Sequence, residues 1–298
     1  MNFVIGFLLF FASLFRLNNF ETILVDKVCK YILLEERKED RVLFTFPLLS
    51  EKIKFPFRTP SALVVDMNND YIIWGKNINE KRPIASLTKI MTSLVLVKNN
   101  KLEDVVEIQR NPSEIEGSIV GFSVHEKFKV KDLIKGMLIQ SGNDSAIALE
   151  DFYSSSNFNL VSEMNEEARR LGLKDTFFAD DSGLNSKNVS SSWDLYLLTK
   201  EFLRYDFLKE IVKKDKDTVC SIDNKHCYEL LNTNRLIFEG FEGVKTGYTQ
   251  EAGNCLIALK YINSKFPTIF IVLGAEDGFT RFEDVRASAE WLEYYAQY

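Results

Sequence analysis

The chain has 298 residues, a net charge of −6 at neutral pH and a hydrophobic fraction of 46%. This size and composition are typical of one substantial globular domain, and the mild acidity argues against a surface that binds nucleic acid. The four cysteines are too few and too scattered for a metal-ligand pattern. The sequence therefore predicts a globular protein without a metal site.

The N-terminus predicts export. Residues 3–15 are apolar throughout, but this run is shorter than the roughly 18 to 20 residues that span a bilayer. We predict a signal peptide or N-terminal anchor over residues 1–16, with the protein in the cell envelope and associated with the membrane through its N-terminus. A buried helix of a cytosolic protein is the alternative. Residues 17–57 form a preface whose amphipathic helix either docks on the rest of the chain or lies on the membrane surface.

Residues 58–298 are predicted to form the main domain, in an α/β arrangement of the α+β type. The predicted elements are a hairpin over 62–74, helices through most of 84–213, strands over 254–262 and 266–274, and a closing helix over 282–297. Strands at both ends with helices between them indicate one antiparallel sheet that helices cover. Such a sheet brings distant parts of the chain together.

Ser86 and Lys89 lie three positions apart in an apolar stretch that follows Pro83. The apolar residues recur at helical spacing, so we predict a buried helix over residues 84–98, in which the two side chains share a face. A serine hydroxyl needs a base within hydrogen-bond reach, and burial disfavours the ammonium form of lysine. Lys89 is therefore a candidate base for Ser86. A helix-start serine beside a solvated lysine is the structural alternative.

A second segment, Ser141-Gly142-Asn143, lies between two predicted helices over 130–140 and 144–152. A turn with a helix N-cap would explain it without any chemistry. In the functional interpretation, Ser141 relays a proton towards a leaving amine. The Asn143 amide then holds the substrate backbone and the amine of Lys89.

A third segment, Lys245-Thr246-Gly247, precedes the two predicted C-terminal strands. On a strand Lys245 and Gly247 face one way and Thr246 faces the other, and the glycine leaves room for a substrate backbone. An exposed strand next to a bulge is the structural alternative. Together the three segments supply a nucleophile, two amines, a second hydroxyl and an amide, which suffice for acyl transfer without histidine.

In the order S-x-x-K, S-x-N and K-T-G, these segments resemble the serine D-alanyl-D-alanine carboxypeptidases, the low-molecular-mass penicillin-binding proteins of peptidase family S11. The similarity covers about residues 60–297 and includes the runs PIASLTKIMT, LIQSGND, LGLKDT and GVKTGYT. The resemblance implies a β-lactamase/transpeptidase-like fold with a five-stranded antiparallel sheet flanked by helices, and no cofactor. It also implies two partners, a peptidoglycan stem peptide ending in D-Ala-D-Ala and β-lactam antibiotics.

The resemblance also implies roles for single residues. Ser86 would form the acyl-enzyme with Lys89 as its base, and Ser141, Asn143 and Lys245 would complete the proton and hydrogen-bond network.

Four further positions would bind the substrate. The backbone N–H groups of Ser86 and Tyr248 would form the oxyanion hole, Gly247 would leave space, and Thr246 and Arg281 would hold the terminal carboxylate. For Arg281, a surface salt bridge with Glu283 or Asp284 is the alternative.

Two other functions stay open at this point. A β-lactamase on the same fold would need a deacylating glutamate, and residues 177–185 contain only Asp180 and Asp181 as carboxylates. A catalytically idle envelope protein would use the same cleft only to bind peptidoglycan stems.

Cys220 and Cys227 form a candidate disulfide. If Asp223-Asn224 is a two-residue hairpin turn, the two cysteines face each other across the strands. Two reduced thiols are the alternative.

Overall fold

The computed structural model describes residue 55, residues 57–154 and residues 158–295. The predicted signal peptide or anchor and nearly all of the predicted preface lie outside these residues, so the domain boundaries at 16 and 57 stay predictions.

The described residues form eleven strands and seven α-helices. The strands are β1 (Ser61–Asp66), β2 (Tyr71–Lys76), β3 (Arg82–Pro83), β4 (Val105–Glu107), β5 (Lys127–Lys129), β6 (Val189–Ser190), β7 (Lys216–Cys220), β8 (Cys227–Leu231), β9 (Val244–Thr249), β10 (Gly253–Ile262) and β11 (Phe266–Ala275). The helices are α1 (Thr88–Lys98), α2 (Val130–Ile139), α3 (Asn143–Ser154), α4 (Leu160–Arg170), α5 (Ser192–Phe202), α6 (Asp206–Val212) and α7 (Thr280–Tyr295).

The predicted five-stranded antiparallel sheet is confirmed, with the strand order β2-β1-β11-β10-β9. The first strand of the described chain, β1, pairs with the last, β11, so residues 61–66 lie beside residues 266–275 in the sheet. All six residues of β1 are buried. Because alternate residues of a strand face opposite sides, burial of every residue means that both faces of the sheet are covered. Helix α7 packs against β10 and β11, and α5 packs against β1 and β11.

Helix α1 lies at the centre of the helical part of the fold. Its residues from Thr88 to Leu96 are all buried, as expected of a helix that packs on every side. It contacts α2, α4 and α5. Lys89, the lysine of the first motif, therefore lies on a helix that its neighbours hold in place.

The start of this helix differs from the prediction. Pro83 belongs to β3, which pairs with β6, and the N–H of Ile84 donates to the carbonyl of Asn188. A 3₁₀ turn over Ala85–Leu87 follows, and Ala85 has a φ of +48°. The short strand pairing keeps the backbone extended through Pro83, and the α-helix begins only at Thr88.

The hairpin of β7 and β8 pairs Cys220 with Cys227, and the two form a disulfide. The connection is longer than a two-residue turn: the N–H of Ser221 donates to the carbonyl of His226, and that of Asn224 donates to the carbonyl of Ser221. The register that faces the cysteines is nevertheless the expected one.

None of the helices in the described part of the chain has both the length and the apolar character needed to cross a bilayer.

Candidate active site

The first motif brings Ser86 and Lys89 into direct contact. Nζ of Lys89 lies 3.0 Å from Oγ of Ser86, because the 3₁₀ turn and the first residues of α1 place the two side chains on one side. Nζ also lies 2.7 Å from Oδ1 of Asn143 and 2.5 Å from the carbonyl oxygen of Ser182. Lys89 has no exposed surface. The predicted pair is therefore present, and the lysine is shut off from water.

Burial also changes the acidity of both lysines in the site. Loss of hydration lowers the pKa of Lys89 to about 8, although the carboxyl groups of Asp181, Asp180 and Asp144 partly oppose this shift. Burial lowers the pKa of Lys245 well below its usual value, and the positive charges of Lys89 and Arg281 lower it further. Burial thus favours the neutral form of both amines, and the charge of Lys89 further favours the neutral form of Lys245.

The second motif contributes a hydroxyl and an amide. Ser141 lies in the short connection between α2 and α3 with a φ of +64°, and its Oγ accepts a hydrogen bond of 2.9 Å from Nζ of Lys245. Asn143 begins α3, and its side-chain nitrogen donates to the carbonyl of Glu116 at 2.7 Å. That bond orients the amide so that its oxygen faces Lys89.

The third motif lies on β9, at the edge of the sheet. Lys245 reaches Ser141, and a Cβ atom on Gly247 would lie 3.0 Å from the carbonyl oxygen of Ile84 and 3.3 Å from the backbone nitrogen of Ser86. Lys245 therefore faces the second motif and Gly247 faces the first, both towards the site, as alternation along a strand predicts. Thr246 points elsewhere: its Oγ1 lies 2.6 Å from Oγ1 of Thr233.

Tyr248 belongs to β9, and the side chain of Arg281 contacts the same strand. The side chain of Tyr248 is 63% exposed. Nη1 of Arg281 donates to the carbonyls of Gly247 and Cys255 at 2.9 and 3.2 Å, so the guanidinium is attached to β9 and β10. The alternative salt bridge is absent from the described residues, since Glu283 and Asp284 instead pair with Arg58.

Three contributors to the site were not assigned roles from the sequence. The carbonyl of Ser182 accepts a hydrogen bond from Lys89, and Gly183 approaches the backbone of the first motif so closely that a Cβ atom would lie 2.1 Å from the oxygen of Ala85. Thr233 contacts the third motif. A backbone carbonyl such as that of Ser182 has no sequence signal of its own.

The arrangement suits acyl transfer through a serine. A hydroxyl, two amines with lowered pKa values, a second hydroxyl and an amide meet here, and all of them except the partly exposed Ser86 are buried. Within the residues that the structure describes, no group of three or more histidine, cysteine or acidic side chains is arranged to hold a metal ion.

Known proteins resemble the chain at the level of sequence. The family model of D-alanyl-D-alanine carboxypeptidases, peptidase family S11, matches residues 51–277. The D-alanyl-D-alanine carboxypeptidase DacF of Bacillus subtilis is 36% identical over 206 residues, which are 66% of this chain and 53% of that protein. A D-alanyl-D-alanine endopeptidase of Pseudomonas aeruginosa is 32% identical over 78% of this chain and 76% of its own length. The chain thus spans about half the length of the Bacillus relative.

Solved structures share the fold. The DD-transpeptidase of Streptomyces K15 superposes with a TM-score of 0.74 at 26% identity, covering 81% of this chain and 99% of the transpeptidase. Penicillin-binding protein D2 from Listeria monocytogenes, solved in an ampicillin-bound form, has a TM-score of 0.69 at 28% identity, with 81% and 100% coverage. With a family match over most of its length and all three motifs in one pocket, the chain belongs to the D-alanyl-D-alanine carboxypeptidases of peptidase family S11.

Proposed function

We propose that the protein is a serine-type D-Ala-D-Ala carboxypeptidase, which removes the terminal D-alanine from peptidoglycan stem pentapeptides. The single observation that carries the proposal is the 3.0 Å contact between Nζ of the buried Lys89 and Oγ of Ser86. Membership of the S11 family and the likeness to an ampicillin-bound protein support it.

The reaction begins at Ser86. Neutral Lys89 accepts the hydroxyl proton as Oγ attacks the carbonyl carbon of the penultimate D-alanine. The bond from that carbon to the nitrogen of the last D-alanine breaks, and the nitrogen takes a proton from the hydroxyl of Ser141, which Lys245 contacts. The proton that Lys89 accepted replaces the one that Ser141 gave up, so both groups return to their starting states. Water then hydrolyses the ester on Ser86 and releases the shortened peptide.

Other groups bind the substrate and the negative charge that develops during attack. The backbone N–H groups of Ser86 and Tyr248 stabilise the oxyanion, and Asn143 holds the substrate backbone. Thr246 and Arg281 hold the terminal carboxylate. A β-lactam undergoes the same attack, but its leaving nitrogen stays tethered to the acyl group, so the acyl-enzyme persists.

Labelled benzylpenicillin tests the proposal directly. Mass spectrometry of the digested protein is expected to find the adduct on the peptide that contains Ser86, and Ser86→Ala should abolish it. The wild type should also release D-alanine from diacetyl-Lys-D-Ala-D-Ala. A folded wild type that gives neither adduct nor D-alanine would instead identify a binding protein without catalysis.

The β-lactamase alternative is not favoured by the two carboxylates near the site. Asp180 accepts hydrogen bonds from the backbone N–H groups of Ser182, Gly183 and Asn185, and Asp181 is 1% exposed. Asp180 is therefore occupied by backbone donors, and Asp181 is shut off from solvent, so neither is suited to activate a deacylating water. Fast turnover of benzylpenicillin by the wild type would contradict this conclusion.

A DD-endopeptidase is the second candidate. The chain covers 76% of the endopeptidases of Escherichia coli and Pseudomonas aeruginosa but 53% of the Bacillus carboxypeptidase. A cross-linked muropeptide dimer distinguishes the two activities, because an endopeptidase separates it into monomers, whereas a carboxypeptidase releases only free D-alanine.

We further propose that the protein is exported and that residues 1–16 associate it with the membrane, in the periplasm or at the outer face of the cytoplasmic membrane. The apolar run of residues 3–15 supports this location. Cell fractionation of the full chain and of a chain lacking residues 1–57 tests it, since a shortened chain that stays in the membrane fraction rules out an N-terminal anchor.

A further inference from the structure

Thr233 contacts the end of α2, just before the second motif, and also contacts the third motif. Its backbone N–H donates to the carbonyl of Ile139, two residues before Ser141, at 3.1 Å. Its hydroxyl oxygen lies 2.6 Å from the hydroxyl oxygen of Thr246. Thr233 therefore links the end of α2 to the K-T-G strand, in addition to the direct hydrogen bond from Lys245 to Ser141.

The backbone on either side of Thr233 is held firmly. The side-chain nitrogen of Asn232 donates to the carbonyl of Lys214 at 2.8 Å, and that of Asn234 donates to the carbonyl of Gly243 at 2.6 Å. Asn234 is 1% exposed. Thr233 therefore presents its hydroxyl from a fixed position, close to the start of β9.

This contact decides how the hydroxyl of Thr246 can be used. A hydroxyl carries one hydrogen and can accept two hydrogen bonds. If Thr233 donates to Thr246, the single proton of Thr246 stays available for a negatively charged ligand. A carboxylate that accepts this proton polarises both hydroxyls in the same sense, which strengthens the chain of hydrogen bonds.

Arg281 supplies the positive charge for such a ligand. Both of its hydrogen bonds to β9 and β10 leave from Nη1, and its buried Nε has no hydrogen-bond partner among the described residues. The carbonyl of Gly247, which Arg281 contacts, directly follows Thr246 in the chain. The guanidinium therefore contacts β9 at the residue that directly follows Thr246.

We propose that Thr233 is a positioning residue that sets the preference for substrates with a free C-terminal carboxylate, by donating its hydroxyl proton to Thr246. The inference rests on the proposed carboxypeptidase function. In this arrangement Thr233 never touches the reacting atoms. Its effect is confined to the group that recognises the carboxylate.

Two substrates that differ only at the C-terminus test the proposal. They are diacetyl-Lys-D-Ala-D-Ala and its C-terminal amide, assayed with the full-length wild type and with Thr233→Val, which replaces the hydroxyl by a methyl group of similar size. We expect kcat/KM for the acid to fall about tenfold, mainly through KM, and kcat/KM for the amide to change less than about twofold.

Three further variants separate this role from a structural one. Thr233→Ser restores the hydroxyl and should restore the preference for the acid. Thr246→Val should lose as much preference as Thr233→Val, and the double variant should lose no more than Thr246→Val alone. Thr218→Val, at an exposed position on β7, controls for loss of a hydroxyl and should leave both substrates unchanged.

Each outcome decides the inference. If Thr233→Val leaves the ratio of kcat/KM for the acid to kcat/KM for the amide unchanged, the inference is overturned. The proposed carboxypeptidase function would not be affected by that result. A wild type that acts on neither substrate and is not acylated by benzylpenicillin would overturn the proposed function, and the inference with it.

Discussion

Lys89 is an amine with no exposed surface, in contact with a hydroxyl, an amide oxygen and a backbone carbonyl. Two opposing effects act on its charge: burial lowers its pKa to about 8, and the carboxyl groups of Asp181, Asp180 and Asp144 raise it to the extent that they are ionised. Burial is the larger effect. The proposed base is therefore neutral in a substantial fraction of molecules at mildly alkaline pH, which an exposed lysine would not be.

The rate of acylation should follow the charge of Lys89. Only the neutral amine can accept the proton of Ser86, so the rate constant for benzylpenicillin should rise with pH and level off above about 8. Two units below that value it should be roughly a hundredfold lower. Lys89→Arg, which keeps its charge, should abolish acylation. If the acylation rate constant, measured by stopped-flow at several pH values, stays constant from pH 6 to 9, Lys89 is excluded as the base.

Asp181 predicts a second pH effect, on stability. Both of its carboxyl oxygens are buried without a hydrogen-bond partner among the described residues, and burial raises its pKa well above 3.8. The folded protein therefore holds a proton that the unfolded chain releases, and stability falls as pH rises above about 4. Asp181→Asn has no such proton to release. The free energy of unfolding of this variant, relative to that of the wild type, should therefore increase by at most about 1.4 kcal/mol for each unit by which the pH rises.

Urea unfolding at several pH values between 4 and 7 measures this difference. Glu166→Gln, whose side chain is 63% exposed in the wild type, is the control and should show a constant difference. A constant difference for Asp181→Asn as well would mean that the carboxyl is ionised in the folded protein.

At the scale of elements, the site depends on how closely the loop before β6 approaches the 3₁₀ turn of the first motif. Gly183 has a φ of +90°, and a Cβ atom there would lie 2.1 Å from the oxygen of Ala85 and 2.8 Å from the nitrogen of Ser86. No side chain fits in that space. The same loop supplies the Ser182 carbonyl that contacts Lys89, so its position also affects the base.

Gly183→Ala should therefore move the loop away from Ser86. We expect acylation by benzylpenicillin to slow by about a hundredfold, as for other small displacements of catalytic groups. Gly172→Ala is a matched control, because Gly172 has a φ of +72° but no atom within 4 Å of its Cβ position. It should lose roughly 1 kcal/mol of stability and keep its acylation rate. Equal acylation by both variants would mean that the close approach has no catalytic role.

At the scale of the whole molecule, the start of the described chain is held against its C-terminal helix. Arg58 donates from its backbone nitrogen and from Nε to the two oxygens of Asp284 on α7, at 2.8 and 3.0 Å. Phe57 stacks on Trp74 of β2 with ring centroids 4.9 Å apart. These contacts and the pairing of β1 with β11 hold the start of the described chain against the sheet that contains the K-T-G strand.

Phe57→Ala in the full chain should destabilise the fold. The ring is 7% exposed, so its removal should cost roughly 3 kcal/mol, measured as the free energy of unfolding in urea. Phe238→Ala removes a ring that is 75% exposed and should change stability by less than about 0.5 kcal/mol. Similar losses from both changes would mean that Phe57 is not part of the packed core.

The amino-acid sequence alone predicted the sheet, the helical middle and the reacting groups. Whether a segment forms a strand or a helix depends largely on the pattern of apolar residues within a few positions, which the sequence shows directly. The predicted ranges of β10, β11 and α2 therefore agreed with the structure within a few residues. The S-x-x-K, S-x-N and K-T-G patterns likewise carry their chemistry in side chains that a sequence displays. The helix start at Pro83 was wrong because a short tertiary strand pairing competed with helix propensity.

Only the tertiary structure decided which groups meet across long separations. The Ser182 carbonyl on Lys89, the approach of Gly183 to Ser86 and the contact between Thr233 and Thr246 are made by backbone atoms or common side chains. Such atoms are present at every position, so no local pattern distinguishes them. The lowered pKa of Lys89 has the same origin, because it depends on how much water the surrounding helices and loops exclude.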